Sequence, residues 1–313
     1  MPALPPTGEQ YEITAGEVQA VVTEVGAGLR TLTFGGRPYV EPFPVDSRPP
    51  RGAGTVLVPW PNRTAGGRWA WQGTPQQLAL NEPAAGNAIH GLLRYTFYEA
   101  ADRAADTITL AARVAPQPGW PVPLATQVRY AVAADGLTVT HTVTNVGGAA
   151  VPFGVGAHPY IRVGDTPTDD CTLQLAATTA LPLDGGIPTG PAQPVAGDTD
   201  FRDGRPLKGV TLDDAFGGCA PADGDELVRH RLLGPDGGVE VWADPAFGWV
   251  QVFTPDDHPG RGRAVAVEPM TCPPDAFNSG TDLVRLEPGA SHDASWCIFA
   301  AWAPDGSAEN SGE

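Results

Sequence analysis

Cysteine is scarce and scattered: Cys171, Cys219, Cys272 and Cys297 are the only four in 313 residues, and no CxxC pair occurs. That spacing supports neither a disulfide framework nor a structural zinc site. No stretch of about 18 apolar residues occurs, so no membrane span is read. The start, Met1-Pro2-Ala3-Leu4-Pro5-Pro6, has neither a basic region nor an apolar core of the kind export signals carry. The expectation is a soluble, cytoplasmic protein. Positive charge is also in short supply, with 19 Lys+Arg against 36 Asp+Glu and a net charge of −17. A surface this acidic repels phosphate backbones and anionic lipid, which argues against nucleic acid and membrane surfaces as partners. Neither a GxSxG elbow nor a GxxxxGK[ST] loop is present, which removes the commonest hydrolase and nucleotide signals. No HxH, HxxxH or HExxH spacing exists, so neither metal nor cofactor is expected.

Helical signals are missing too. No apolar stripe of 3.6-residue period runs for ten or more residues behind a cap, and no repeat of fixed period suggests a propeller. What the sequence has instead is alternation of period two. In Leu137-Thr138-Val139-Thr140-His141-Thr142-Val143-Thr144, four threonines share one face while Leu, Val, His and Val share the other. The run from Thr126 to Val132 precedes it, with Asp135-Gly136 between the two, a hairpin signal. Similar runs cover Val18 to Thr23, Thr107 to Val114, Val239 to Trp242, Trp249 to Phe253, Ala264 to Val267 and Trp296 to Ala301; Asp236-Gly237 introduces the third of them. The 39 glycines and 34 prolines are spread along the chain, as turns between short strands require. The expected class is all-β, with antiparallel sheets packed face to face in one domain spanning residues 1–313. The stretch from Asp184 to Gly209, rich in Gly, Pro and Asp, reads as a long surface loop within that domain. The small, polar tail from Pro304 to Glu313 is expected to fray.

Five polar clusters interrupt this pattern: Pro59-Trp60-Pro61-Asn62-Arg63 with Gly66-Gly67; Asn87-Ala88-Ile89-His90-Gly91; Gly154-Val155-Gly156-Ala157-His158-Pro159-Tyr160; Leu212-Asp213-Asp214; and Val267-Glu268-Pro269-Met270, running on to Asn278. Glu268 ends a strand apolar on both faces, and Pro269, which has no N–H for the ladder, is expected to stop that strand. A carboxylate there serves chemistry or pairs with a cation such as Arg263; spacing alone leaves both open. His158 and His90, taken singly, fit a hydrogen-bonded structural role as well as a catalytic one. His141 keeps phase with valines and reads as an inward strand residue. His230, His258 and His292 lie in polar, turn-like contexts and read as surface residues.

In this order the clusters resemble those of the aldose 1-epimerase family, also called galactose mutarotase-like, from Asn62 to Asn278. The resemblance implies a large antiparallel β supersandwich and interconversion of the α and β anomers of an aldose. It implies Glu268 as catalytic base and His158 as catalytic acid, with Arg63, His90 and Asp213 binding sugar hydroxyls. Asp214, next in the chain, competes for the last place. Where the galactose enzymes have Glu-Pro-Gln, this chain reads Glu268-Pro269-Met270. It also carries Asn81-Glu82-Pro83 ahead of His90. Both features are similar to a bacterial subgroup of uncharacterised or sulfosugar-associated epimerase-like proteins. The partner implied is a small-molecule sugar, taken by a monomer or homodimer, with no cofactor.

The chemistry suits these residue types. Opening a pyranose takes a proton from the C1 hydroxyl and gives one to the ring oxygen, which one carboxylate and one imidazole on either side of the hemiacetal accomplish without metal. Trp60, Trp69, Trp71 and Trp249 serve equally as core or as apolar faces for sugar C–H groups. Arg261 and Arg263, just upstream of Glu268, offer a site for an anionic sugar or are surface residues of a turn. Two other functions fit the same residues: a catalytically silent sugar-binding or sensing module, and a glycoside-processing enzyme that pairs Glu268 with Asp213.

Overall fold

The computed structural model describes residues 4–235 and 237–301. Asp236 and the tail from Pro304 lie outside the described residues. Strands dominate, and the α-helix Ala276–Ser279 is four residues long. No helix among the described residues is long and apolar enough to cross a membrane.

The larger sheet has nine strands. It contains the hairpin Leu124–Ala133 and Gly136–Asn145, paired from Leu124–Asn145 to Ala133–Gly136. The alternation in sequence translates directly. Leu137, Val139, His141 and Val143 are buried while Thr138, Thr140, Thr142 and Thr144 are half-buried on the other face. Ser291–Ala301 lies on the far side of that hairpin and joins it to Gly237–Ala243 and Val228–Gly234. The second sheet, of eight strands, has at its centre Trp249–Phe253 and Val265–Met270. Every residue of Val265–Met270 is buried, as a strand apolar on both faces demands. The inner faces of both sheets and of the four-stranded N-terminal sheet supply one continuous hydrophobic core. This is the all-β antiparallel sandwich that the patterning implies.

Three expectations need correction. The strand does not stop at Pro269 but pairs on through Val250–Pro269 and Trp249–Met270; a single missing donor interrupts one rung and leaves the neighbouring rungs intact. The stretch from Asp184 to Gly209 is more than a surface loop. It lends Gln193–Pro194 to the smaller sheet and Arg205–Pro206 to the larger, and buries Val195, Phe201 and Leu207 in the common core. His230 and His258 are each 1% exposed and not on the surface. His230 alternates with Val228 and Leu232 as an inward strand residue, a period masked in sequence by arginines at Arg229 and Arg231. All four cysteines are free thiols.

Candidate active site

Antiparallel register builds the centre of the site. The segment from Gly156 to Ile161 runs beside Val265–Met270, with Gly156 opposite Met270 and Tyr160 opposite Ala266. The same register sets His158 opposite Glu268. On the other flank of Glu268 its cross-strand partner is Gln251. Cross-strand partners point to the same face of a sheet, so His158, Glu268 and Gln251 form one row. The outcome is a distance of 3.3 Å between His158 Nε2 and Glu268 Oε1, with both residues buried. Tyr160 stacks on the His158 ring at a centroid separation of 5.2 Å.

A second ladder supplies the opposite wall. Arg63–Thr64 pairs with Ala88–Ile89, and beyond it Asn62 and His90 clasp each other. His90 N–H donates to the Asn62 carbonyl at 3.0 Å, and Asn62 N–H donates to His90 Nδ1 at 3.1 Å. Both residues hold left-handed backbone, with φ of 55° and 61°. This conformation is uncommon for non-glycine residues, though asparagine and histidine enter it more readily than most. Gly91 follows at φ 71°, where an added Cβ would stand 2.1 Å from the Val58 carbonyl oxygen. Only glycine fits there.

Polar side chains continue round the cavity. The Asn62 amide donates to Gln251 Oε1 at 3.1 Å, and Gln251 donates in turn to Asp213 Oδ1 at 2.7 Å. Asp213 Oδ2 faces Arg63 Nη1 at 3.7 Å. Arg63 is gripped from the other side by Glu82, whose oxygens accept from Nε at 2.9 and 3.2 Å and from Nη2 at 2.9 Å. These residues line one cavity of about 260 Å³ together with Arg51, Arg94, Tyr95 and Phe253. The structure thus brings all five predicted residues, Glu268, His158, Arg63, His90 and Asp213, to one cavity. It sets Asp213, not Asp214, on the lining.

Two alternatives left open by the sequence are decided against sugar contact. Trp60 and Trp69 pack with Trp120 and Phe277 in the core, and Trp249 is buried too; the aromatic rings at the cavity are Tyr95 and Phe253. Arg261 pairs with buried Glu41 at 3.0 Å, and Arg263 with Asp169 and Asp256. Neither reaches the cavity, because the strand carries their turn to the opposite end from Glu268. Gln251 and Arg94 were not singled out from sequence, and Glu82 was named only within Asn81-Glu82-Pro83, with no role in the site. Gln251 sits in an ordinary strand pattern, whereas Glu82 follows Asn81 in the stretch that departs from the galactose enzymes.

Burial dominates the electrostatics. It drives the Glu268 carboxyl well above its ordinary pKa, reinforced by Asp213 and opposed by Arg63. It lowers His158 to about 3, with the Arg94 and His258 charges adding to the effect. His90 also falls well below the ordinary imidazole value, by burial and then by His158, Arg94 and Arg63. His90, His158 and Glu268 offer atoms within 4.8 Å of one another, close enough to suggest a metal site. The donor set speaks against one. His90 Nδ1 accepts from the Asn62 N–H, so the proton of the neutral ring sits on Nε2, and that nitrogen is a donor with no lone pair for an ion.

This antiparallel β-sandwich is the galactose mutarotase-like fold. The chain belongs to the aldose 1-epimerase family, whose model matches residues 9–297. It is 36% identical over 288 residues to the uncharacterised protein YihR of Escherichia coli K12, covering 91% of each chain. In fold it is similar to an aldose epimerase homologue from C. elegans (TM-score 0.82, 19% identity, 95% of this chain and 99% of that one). It is equally similar to a galactose mutarotase-like protein from Clostridium acetobutylicum (TM-score 0.82, 15% identity, 93% and 95%).

Proposed function

We propose that this chain is an aldose 1-epimerase, a mutarotase that interconverts the α and β anomers of an aldohexose or related sugar. The observation that carries this reading is the 3.3 Å approach of His158 Nε2 to Glu268 Oε1 at a cavity that Arg63, His90 and Asp213 also line.

In the reactive charge state the proton of the pair resides on His158. Glu268 takes the C1 hydroxyl proton while His158 gives its Nε2 proton to the ring oxygen, and the C1–O5 bond breaks to leave an aldehyde. Rotation about C1–C2 presents the other carbonyl face. Closure then returns both protons along the same paths, giving the other anomer. Burial suits each group to its step: a carboxylate with a raised pKa is a stronger base, and an imidazolium with a lowered pKa a stronger acid. After opening, the pair is uncharged, which is the form a buried site favours. His90 donates through Nε2–H, Arg63 donates and Asp213 accepts, fixing the ring so that the two exchanged protons line up.

As to the sugar, Arg94 lines the cavity with its guanidinium over the Tyr95 ring at 4.8 Å; among the described residues no carboxylate is in ion-pair range, and its Nε is buried without a hydrogen-bond partner. An acidic or sulfonated hexose would supply that partner. This favours Arg94, in place of Arg261 and Arg263, as the residue that reads an anionic substituent. Arg94→Leu would then weaken anionic sugars selectively; equal loss for neutral sugars would remove the second reading and leave the first.

The test of the reaction is proton NMR or polarimetry on freshly dissolved pure anomers, neutral and anionic. Accelerated approach to the equilibrium anomer ratio, with no new reducing end, is expected. Binding without acceleration would favour the silent sugar-binding module, and release of a new reducing sugar the glycoside-processing enzyme.

A further inference from the structure

We propose that Glu82 is a positioning residue which holds the Arg63 guanidinium off Asp213, keeping the Asp213 carboxylate free to accept a sugar hydroxyl; this rests on the sugar-binding reading of the cavity. Arg63 has carboxylates on two sides, and its contacts are unequal. Three nitrogen–oxygen contacts of 2.9 to 3.2 Å tie it to Glu82, in the two-point geometry that matches a guanidinium best. Asp213 stands at 3.7 Å, beyond hydrogen-bond range. Glu82 is also the better shielded of the two, with side-chain exposures of 25% against 47%, so its attraction is less screened.

The clamp is built into the backbone. Asn81 bonds both ways to the Ile89 main chain, at 2.9 and 2.7 Å, and Ile89 is the register partner of Arg63. The Glu82 carbonyl accepts from Gly86 N–H at 2.9 Å and its N–H donates to Asn87 at 3.1 Å, closing the loop that presents the carboxylate. Gly186, at φ 78°, lies against the guanidinium; a Cβ there would stand 2.2 Å from Arg63 Nη1. Arg63 is therefore held by a carboxylate on one side and bare backbone on another, with a gap left towards Asp213. Gln251 already occupies Asp213 Oδ1. Oδ2 is the oxygen that the gap keeps available.

Without the Glu82 carboxylate, Arg63 closes onto Asp213 and takes up that oxygen. Glu82→Gln should raise KM about tenfold while kcat changes by less than about threefold, the pattern of lost ground-state binding. Glu82→Asp, which keeps the charge, should recover part of that loss. In the Asp213→Asn background Glu82→Gln should cost almost nothing further, because its effect runs through Asp213. An unchanged thermal midpoint separates this from misfolding. Two readouts need no turnover: sugar affinity by ligand-observed NMR, and the Arg63 Nε–Hε resonance, assigned by its absence in Arg63→Lys. That resonance should be protected from exchange in the wild type and exposed in Glu82→Gln. If sugars bind and weaken with Glu82→Gln but are not turned over, the positioning role stands and the mutarotase reading falls. An active Glu82→Gln enzyme with wild-type KM and a protected Arg63 resonance would overturn the positioning role alone. So would additive losses in the double variant.

Discussion

His158 Nε2 and Glu268 Oε1 stand 3.3 Å apart, with both residues buried. Burial lowers the imidazole to about 3 and raises the carboxyl. Each shift makes its group the more reactive partner in the exchange proposed above. The same shifts favour the uncharged pair at rest, so the reactive ion pair is the minor form, and forming it out of water is costly.

Removing either partner tests the pairing. Glu268→Gln and His158→Asn should each abolish acceleration, with losses of roughly 10²–10⁴-fold. The double variant should be little worse than either alone, because acid and base act as a unit. Circular dichroism should show the fold intact. Glu268→Gln should keep or raise the thermal midpoint, since it removes a buried charge. Anomer exchange followed by NMR decides the matter; full activity in either variant would refute the roles assigned.

The pH profile follows from the same shifts. The pair works while it carries one transferable proton, so kcat/KM should be bell-shaped, and the two limbs belong to the pair jointly. The lowered imidazole pushes the acid limb below the ordinary histidine value of about 6.5. The raised carboxyl pushes the alkaline limb above the ordinary carboxylate range. On acidification, therefore, no loss of activity should be centred at the ordinary histidine value of about 6.5. A loss centred at the unperturbed histidine value would show that His158 titrates as if solvated.

Much of the fold was legible because alternation of period two has one simple physical source, a strand with one buried face. Leu137 to Thr144 display it without interruption. Turn chemistry marked the hairpin, and the all-apolar run before Glu268 marked a central strand. The site was legible only as separate clusters. Nothing local says that Gly156 faces Met270, and that register is what sets His158 beside Glu268. Gln251 was invisible for the same reason: a glutamine in a strand has no signature until its cross-strand partner is known. His230 and His258 were misplaced because charged and turn-forming neighbours hid their burial.

Gln251 makes a sharp test of the polar ring. Its amide links Asn62 to Asp213 and is 2% exposed. Gln251→Leu keeps the approximate volume but strands both neighbours, which should cost about 1–3 kcal/mol of stability. It should also raise KM, because Asp213 loses the donor that orients it. Chemical denaturation and anomer-exchange kinetics measure the two effects. A variant with wild-type stability and KM would mean that the Asn62–Gln251–Asp213 chain orients nothing.

Buried neutral histidines predict how the protein fails in acid. His141 falls to about 3 and His230 to about 4, in both cases because burial penalises the charged ring. His141 Nε2 accepts from the Trp296 N–H at 3.0 Å, and His230 Nδ1 from the Ala176 N–H at 3.3 Å, so protonation of either nitrogen also breaks a bond. The sign follows from proton uptake. Below about pH 6.5 the unfolded chain binds protons that the native state refuses, so stability drops as pH falls, until each folded value is reached. Each such histidine contributes up to about 1.4 kcal/mol per pH unit in that window. The thermal midpoint should hold between pH 7 and 8 and then decline steeply below pH 6. His141→Gln, which retains an acceptor for Trp296 but does not titrate, should make the decline shallower. An equally steep decline in that variant would clear His141 and leave the remaining buried histidines or the carboxylates as the source.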